Sequence, residues 1–397
     1  MSSETSWRAE ISFSERLANV SAINTAFERY APKDIGVSQT LQAEGTKIEM
    51  KAFSGAASKD EYMEICRNAV DRFIQEATKE STDMPAAATE SDSEFASKPG
   101  RQIGTYKKAV HDSDGSCSTI YKAKTDDGVF VALKVTIPEM MSLPHDSRRE
   151  ARILHRARST NIIPLLGTFQ EPGQQFVLAF PYMRYQLDKL LLQRGQISLR
   201  EIRSHLHDIF RALDHIHSLG IIHRDVKPSN ILLRSPAGPA YLGDFGISWD
   251  PDDPSSEKEN EKITDVGTTC YRPPEILFGL RSYDTSLDLW SAGCVVAEAI
   301  HPQHQPVFDA GPLGSELSLI HSIFTTIGTP TNDSWPSAKL LPDWGKIEFK
   351  QYPARPWEEI LCGAPSNGVD LTRQLLQYES KDRMTASEVL KHPFFAL

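Results

Sequence analysis

The stretch that decides the fold of this chain is HRDVKPSN, residues 223–230, together with DFG at residues 244–246. A single Asp or Asn in a loop usually does no more than make a turn. Here an Asp, a Lys and an Asn lie within six residues, and a second Asp follows the first by 19 residues. Carboxylate and amide oxygens are ligands that Mg²⁺ prefers, and a nearby lysine supplies positive charge. The combined pattern is therefore much more specific than a single turn-forming Asp or Asn.

The two motifs together resemble the catalytic loop and the metal-binding turn of eukaryotic protein kinases. The resemblance implies that Asp225 accepts or orients the proton of the attacking hydroxyl. It also implies that Lys227 places positive charge against the γ-phosphate, and that Asn230 and Asp244 hold Mg²⁺ between them. ATP and Mg²⁺ are therefore the expected cofactors, and a protein hydroxyl is the expected acceptor.

Upstream residues extend the resemblance. VALK, residues 131–134, alternates like a strand and ends in Lys134, the residue expected to hold the α- and β-phosphates. Glu150 follows 16 residues later in a predicted helix and is the expected ion-pair partner of Lys134. The other nucleotide-binding positions that the resemblance implies, on the strand and at the hinge, are Ala132, Phe180, Pro181 and Met183.

Residues 113–120, SDGSCSTI, lie where the family has its glycine-rich phosphate loop. Alignment places Ser113, Gly115, Ser118 and Ile120 at the G-x-G-x-x-G-x-V positions, so only the middle glycine is present. Glycine allows close backbone approach to a phosphate, whereas serine keeps a small side chain, a backbone N–H and a hydroxyl. We expect a weakened hold on ATP in an active kinase. A pseudokinase scaffold that binds partners without transfer is the alternative.

Downstream stretches point to one branch of the family. GTTCYRPPEIL, residues 267–277, has Pro-Pro-Glu in place of Ala-Pro-Glu, and Arg383 is the expected partner of Glu275. FDAGPLGSELSLIHSIFTTIGTPTNDSWP, residues 308–336, resembles the insert and the GTP…WP signature of the cyclin-dependent-kinase branch. The resemblance covers roughly residues 103–397. Gly267 stands where this branch has valine, so a requirement for proline after the target residue stays open.

Three departures bear on regulation. LPHDSRRE, residues 143–150, replaces the PSTAIRE-like sequence on which cyclins pack in this branch, so no cyclin requirement is evident. Ile263 falls where the activating phosphothreonine would stand, with Thr264 as the nearest hydroxyl. Residues 250–265, here named the acidic segment, contain seven Asp or Glu against two Lys. Its carboxylates either supply charge to Arg224 in place of a phosphate or belong to a solvated loop.

These departures resemble the fungal single-subunit kinases that phosphorylate and activate cyclin-dependent kinases. The resemblance implies that the protein substrate is another kinase.

Residues 1–82 form a separate predicted unit. AEISF is its first predicted strand, and helical stripes follow over residues 17–30 and 62–74. Between them, alternation over residues 37–52 around Glu44-Gly45 predicts a β-hairpin, giving a β-α-β-β-α order. This order and the final predicted helix, EICRNAVDRFIQEATKESTDM, loosely resemble the smallest subunit family of the KEOPS/EKC tRNA-modification complex, which implies an association with that complex. An unrelated appendage or an artefactual fusion is the alternative.

Bulk composition limits the remaining classes. Five well-separated cysteines without a C-x-x-C pair favour reduced thiols over a zinc or disulfide framework. A net charge of −10 over 397 residues argues against direct nucleic-acid or membrane binding. No run of 18 apolar residues and no signal peptide are found, so nucleus or cytoplasm is expected.

The sequence thus predicts an α+β chain with a two-lobed protein kinase fold. Residues 83–101 are a predicted disordered linker, and residues 102–397 the kinase domain. Its small β-rich lobe is expected over about residues 102–183 and its large helical lobe over about residues 184–397.

Overall fold

The computed structural model describes Trp7, Ile11, Arg16 and residues 39–59, 61–69, 95, 97–193, 195, 197–311 and 314–396; for residues 39–46 it describes the backbone only. The chain divides into two compact units, residues 1–93 and 94–397. Each unit is described by itself.

The smaller unit is helical where it is described. Helix α1 spans Gln39–Gly55, and residues 61–69 are also helical. The predicted hairpin over residues 37–52 is therefore wrong. Ile48, Ala52 and Ala56 are spaced by four and pack in one cluster with Tyr62, while Met50 is 59% exposed. The four-residue spacing of a helix, rather than the two-residue alternation of a strand, decides which residues are buried.

This helix removes the strand pair on which the resemblance to the KEOPS/EKC subunit rested. The predicted helix over residues 62–74 agrees with the helical residues 61–69. The predicted strand AEISF and the predicted helix over residues 17–30 lie largely outside the described residues. A buried ion pair ties the unit together, because Arg16 Nε lies 2.7 Å from Glu49 Oε1 and the Tyr62 hydroxyl donates to the same oxygen.

The larger unit begins with a six-stranded antiparallel sheet in the order β1-β2-β3-β4-β6-β5. Its strands are β1 Arg101–Ile103, β2 Tyr106–Asp114, β3 Thr119–Lys124, β4 Phe130–Thr136, β5 Gly167–Glu171 and β6 Gln175–Pro181. Alternation sets the two faces of β4. Val131, Leu133 and Val135 are buried in the sheet core, so Ala132 and Lys134 point to the opposite face. Helix α2, Ser147–Arg156, packs on that face through Ile153 and Leu154.

The second lobe is mainly helical. Its helices are α3 Leu187–Leu192, α4 Leu199–Ser218, α5 Pro274–Leu277, α6 Ser286–Ile300, α7 Glu316–Ile327, α8 Trp357–Ile360, α9 Ser366–Leu375 and α10 Ala386–Val389. A small sheet joins β7 Tyr185–Gln186, β8 Ile231–Leu233 and β9 Ala240–Leu242.

Two helices show how the sequence builds this lobe. Helix α4 starts with a capping box, in which Ser198 and Glu201 bond to each other's backbone, and it buries one apolar stripe. Helix α6 is buried at every position from Leu287 to Ile300, as expected for a helix that is apolar on all sides. It forms the centre on which the catalytic loop is anchored.

The end of the predicted linker differs from the prediction. Phe95 is buried, and its ring meets that of Phe130 edge to face at 5.2 Å. Strand β1 begins at Arg101, inside the predicted linker. Phe95 is the one aromatic residue of residues 83–101, and burying it against the sheet gives this polar stretch a fixed end. Residues 97–100 of the predicted linker are also described, whereas residues 83–94 and 96 lie outside the described residues.

Among the residues described, no helix is long and apolar enough to span a lipid bilayer.

Candidate active site

Lys134 is the centre of a three-residue ion cluster. Its Nζ lies 2.8 Å from both carboxylate oxygens of Glu150 on α2 and 2.8 Å from Asp244 Oδ1. Glu150 is buried, whereas half of the Asp244 side chain is exposed. The predicted ion pair between Lys134 and Glu150 is confirmed, and it joins the sheet, α2 and the DFG turn.

The cluster fixes the charge states of its members. Burial lowers the pKa of Lys134, but the carboxylates of Asp244 and Glu150 outweigh it and hold that pKa above its usual value. The charge of Lys134 holds the pKa of Asp244 well below its usual value, against the effect of burial. A cationic lysine and an ionised Asp244 therefore face each other at neutral pH.

The catalytic loop is anchored on α6 by one carboxylate. Asp288 accepts the backbone N–H of His223 and of Arg224, each at 2.8 Å, and lies 2.9 Å from His217 Nε2. Two non-glycine residues of the site have left-handed backbones, Arg224 with φ 71° and Asp244 with φ 60°. Such strained conformations persist only where the surrounding contacts fix them.

Asp225 is held by residues from two segments. Asn230 Nδ2, in the 3₁₀ turn Pro228–Asn230, donates to Asp225 Oδ2 at 3.0 Å, and Lys227 Nζ lies 2.8 Å from the same oxygen. Oδ1 accepts the backbone N–H of Thr268 at 3.0 Å and its hydroxyl at 2.9 Å. Lys227 Nζ also donates to the Thr268 hydroxyl at 2.7 Å. The structure thus brings Asp225, Lys227 and Asn230 together.

Thr268 is a site residue that the sequence analysis missed. It stands in GTTCYRPPEIL, 43 residues after Asp225, and neither its type nor its immediate neighbours mark it as functional. The signal available was its place five residues before the Pro-Pro-Glu stretch, in the same motif as the resemblance to the kinase family. Its hydroxyl bridges the carboxylate of Asp225 and the ammonium of Lys227, so it fixes their separation.

The side-chain oxygens of Asn230 and Asp244 are suitable ligands for Mg²⁺. Both hydrogen bonds recorded for the Asn230 side chain come from its nitrogen, to Asp225, which leaves its carbonyl oxygen for a metal. Asp244 is ionised and half exposed at the cleft. Within the described residues no group of three or more His, Cys, Asp or Glu is arranged to hold a metal. Two protein oxygens completed by phosphate and water suit Mg²⁺, which binds few protein ligands.

The atypical phosphate loop is a β-hairpin. Ser113 on β2 lies opposite Ile120 on β3, and the Gly115 N–H donates to the Ser118 carbonyl at 2.7 Å across the turn. A Cβ added to Gly115 would lie 2.9 Å from Ser118 Oγ, so a side chain at this position would require the Ser118 hydroxyl to rotate away. The four predicted loop residues therefore lie together at one hairpin end.

The predicted hinge residues follow the last long strand of the sheet. Ala132 on β4 lies opposite Phe180 on β6, and β6 ends at Pro181, two residues before Met183. Tyr182, between them, donates its hydroxyl to Asp112 on β2 at 3.1 Å. The hinge and the strand leading into the phosphate hairpin are therefore directly bonded.

The acidic segment contacts the catalytic loop through Glu257. Arg224 Nη1 lies 3.0 Å from Glu257 Oε1, and Arg149 Nη1 of α2 lies 3.5 Å from Oε2. Both arginine side chains are fully buried, and the Glu257 side chain is 8% exposed. Burial raises the pKa of Glu257, but Arg224, a backbone hydrogen bond and Arg149 together outweigh burial and hold that pKa below its usual value, so the carboxylate is ionised at neutral pH. Pairing of the segment with Arg224, one of the two predicted alternatives, is what the structure contains.

A second predicted pair lies far from the chemistry. Arg383 donates to both carboxylate oxygens of Glu275 at 2.7 Å, and both side chains are buried. Arg383 also donates to the carbonyls of Gln377 and Ser286. This brace fixes the segment between Thr268 and α6.

Comparison with known proteins agrees with this geometry. The protein kinase domain family matches residues 112–395. Cyclin-dependent kinase 20 of Danio rerio is 31% identical over 286 residues, which cover 71% of this chain and 80% of that protein. Serine/threonine-protein kinase csk1 of Schizosaccharomyces pombe is 34% identical over 278 residues, covering 68% of this chain and 88% of that protein.

A solved structure shows the same fold. A chain of the yeast RNA Pol II CTD kinase CTDK-1 complex superposes with a TM-score of 0.65 at 28% identity, covering 79% of this chain and 97% of that chain. The family implies ATP as the phosphate donor and usually Mg²⁺. This chain therefore belongs to the protein kinase family, as a serine/threonine kinase related to the cyclin-dependent kinases.

Proposed function

We propose that this kinase phosphorylates the activation loop of a cyclin-dependent kinase and does so as a single chain. The observation that carries the proposal is the position of Glu257 between Arg224 and Arg149. An activating phosphate adds negative charge that pairs with arginines and orders the loop. Glu257 supplies a permanent, weaker negative charge between two of them, while the Lys134–Glu150 pair is already formed.

Each site residue has a task in this reaction. The hydroxyl oxygen of the protein substrate forms a bond to the γ-phosphorus, the bond from phosphorus to the β-bridging oxygen breaks, and ADP leaves. Asp225 accepts the hydroxyl proton, and Lys227 stabilises the charge on the transferring phosphoryl group. Lys134 orients the α- and β-phosphates. Asn230 and Asp244 would hold Mg²⁺, which would neutralise phosphate charge.

The nucleotide is bound between the hairpin and the hinge. The backbone around Ser113, Gly115, Ser118 and Ile120 covers the phosphates, and Ala132, Phe180, Pro181 and Met183 enclose the base. Two serines in place of glycines weaken this cover without removing the residues that orient the phosphates. The pseudokinase alternative is not favoured, because every charged residue that transfer needs is present and ionically paired.

A surface groove beside α2 is a candidate site for a partner such as a cyclin. A groove of about 330 Å³ is lined by Pro138, Glu139, Met141, Leu143, His145, Asp146 and Arg148. Met140 and Leu143 are exposed there, at 80% and 54%. The specific alternative to single-chain activity is therefore activity that depends on a cyclin bound at this groove. The helix over residues 39–55 gives no support to a KEOPS/EKC association, and the proposal rests on the kinase unit alone.

The test uses the whole chain made in bacteria and treated with phosphatase. It is incubated with Mg-ATP and an inactive cyclin-dependent kinase, without a cyclin, and the phosphorylated residue is located by mass spectrometry. We expect phosphate on the substrate's activation loop. The Asp225→Asn and Lys134→Met variants, which remove the proton acceptor and the phosphate-orienting charge, should retain less than about a tenth of the activity.

Two results would contradict the proposal in different ways. A chain that is silent until a cyclin is added refutes single-chain activity. A chain that is active on a generic protein substrate but leaves the activation loop untouched refutes the target.

A further inference from the structure

Helix α2 carries arginines on the face that meets the acidic segment. Arg149, Arg152 and Arg156 are spaced by three and four residues, which places them on one side of a helix. Arg148, one position earlier, points elsewhere and pairs with Glu139 at 2.9 Å on the surface. Arg149 belongs to the Glu257 contact already described. Arg152 and Arg156 have no part in that contact, yet both are paired.

Arg152 makes a two-bonded contact with Asp253. Its Nε lies 2.6 Å from Oδ2 and its Nη2 lies 2.9 Å from Oδ1, while the Asp253 side chain is only 3% exposed. Burial raises the pKa of Asp253, but the hydrogen bonds from Arg152 and the Ser255 N–H bring it down to about 2. A parallel two-bonded pair of this kind is the geometry in which arginine fixes a carboxylate most firmly.

Further contacts extend the same line along α2. Arg156 pairs with Asp250 and, at 2.6 Å, with Asp252. At the other end, the Ser255 hydroxyl lies 2.9 Å from Oδ2 of Asp146, the residue that caps the first turn of α2. The Asp146 N–H in turn donates to the carbonyl of Gly246 in the DFG turn at 3.1 Å. The segment therefore contacts the first and last turns of the helix that carries Glu150.

We infer that residues 250–255 form an intramolecular clamp that holds α2 in place, with Arg152 and Asp253 as positioning residues for the Lys134–Glu150 pair. Neither residue touches the reacting atoms. They act through α2, because a helix held along this face keeps Glu150 within 2.8 Å of Lys134. The clamp explains how the helix is fixed without a partner and rests on the single-chain activity proposed above.

The test is a double-mutant cycle on the whole chain with Arg152→Gln, Asp253→Asn and the two combined. Kinetics on a generic substrate such as myelin basic protein should show each single change lowering kcat/KM at least about tenfold, mainly through kcat. The combined variant should lose no more than the worse single one, because either change already breaks the pair. Arg152→Lys, which keeps the charge, should recover part of the loss. Arg148→Gln is the matched control and should stay within about twofold of wild type.

A second measurement follows the helix directly. Hydrogen exchange of the backbone amides in residues 147–156 should speed up in Arg152→Gln and Asp253→Asn, and not in Arg148→Gln. Additive losses, or losses and exchange rates equal to those of the Arg148 control, would overturn the clamp. If wild type itself is silent on the generic substrate, single-chain activity fails. The exchange experiment then still decides whether the clamp holds α2.

Discussion

Replacing Glu257 by Gln removes one negative charge and little else. The side chain keeps its size and an oxygen acceptor, and the backbone carbonyl of residue 257 still accepts the indole N–H of Trp249 at 2.8 Å. The buried guanidinium groups of Arg224 and Arg149 lose the carboxylate that they share. Arg224 on the catalytic loop and Arg149 on α2 are then two like charges held near each other.

The size of the effect follows from burial. Breaking a buried ion pair by removing one partner typically costs about 3–5 kcal/mol. Gln keeps a hydrogen-bond acceptor, and both arginines keep carbonyl partners, at Ile247 for Arg224 and at Pro144 and Ser255 for Arg149. We therefore expect the Glu257→Gln change to cost about 2–3 kcal/mol. If this cost destabilises the active arrangement rather than the whole fold, 2 kcal/mol lowers the rate about 30-fold.

The assay compares kcat and KM of Glu257→Gln with those of wild type and Glu261→Gln, and adds a melting curve. Glu261 lies in the same acidic segment, but its one ion pair among the described residues, with Lys258 at 3.5 Å, is exposed. We expect the Glu257 variant to lose about 30-fold in kcat/KM and the control less than about twofold. The melting temperature should change by only a few degrees, because the contact orders a segment rather than the core. Equal activity of the two variants would refute the reasoning.

Three further outcomes are expected. Restoring Ser113→Gly and Ser118→Gly together should lower the KM for ATP at least about twofold in steady-state kinetics, and an unchanged KM would mean that the serines belong to the phosphate contact. Thr268→Ala should lower kcat about tenfold or more at an unchanged melting temperature, whereas Thr268→Ser, which keeps the hydroxyl to Asp225, should not. The pKa of Asp253, about 2 against 3.8 for the free group, implies stabilisation that is present above about pH 4 and lost as the pH falls towards 2. Urea unfolding at about pH 6 and about pH 3 should therefore show a smaller difference between wild type and Asp253→Asn at the lower pH.

The catalytic centre was predictable because its residues stand close together in the sequence. Asp225, Lys227 and Asn230 share one loop, and a loop of a few residues can place them only a short distance apart. The Lys134–Glu150 pair was predictable for a related reason. Alternation on β4 turns Lys134 away from the sheet core, and the next helix packs on that same face.

Thr268 and Glu257 could not be placed in the same way. Each reaches the catalytic loop through irregular backbone, Thr268 over 43 residues and Glu257 over 33 from Arg224. Sequence alignment assigned the activating position to Ile263, which instead packs as a partly buried apolar residue with Tyr283. The acidic segment was recognised by its charge, but only its folded path decides which carboxylate meets Arg224.

The predicted hairpin over residues 37–52 was wrong for a different reason, because the apolar pattern there fits both the period of a strand and the period of a helix. Ile48, Met50 and Ala52 alternate, but Ile48, Ala52 and Ala56 are also spaced by four. Most residues of α1, Gln39–Gly55, are Gln, Lys, Glu, Met or Ala, which favour helix, and Gly45 is tolerated inside it at about 1 kcal/mol. Short apolar patterns cannot separate these periods unless propensity is weighed with them.

A carboxylate is an incomplete substitute for a phosphate, and the buried donors show where it falls short. Arg224 Nε and Nη2 and Arg149 Nε have no hydrogen-bond partner among the described residues. A phosphate has three acceptor oxygens and up to two negative charges, so it could satisfy donors that the two oxygens of Glu257 leave unpaired. The active arrangement is therefore held less firmly at this point than by a phosphate. The contacts of Arg152 and Arg156 along α2 strengthen this arrangement, because they add independent ion pairs to it. Unlike a phosphate, none of these carboxylates can be removed by a phosphatase.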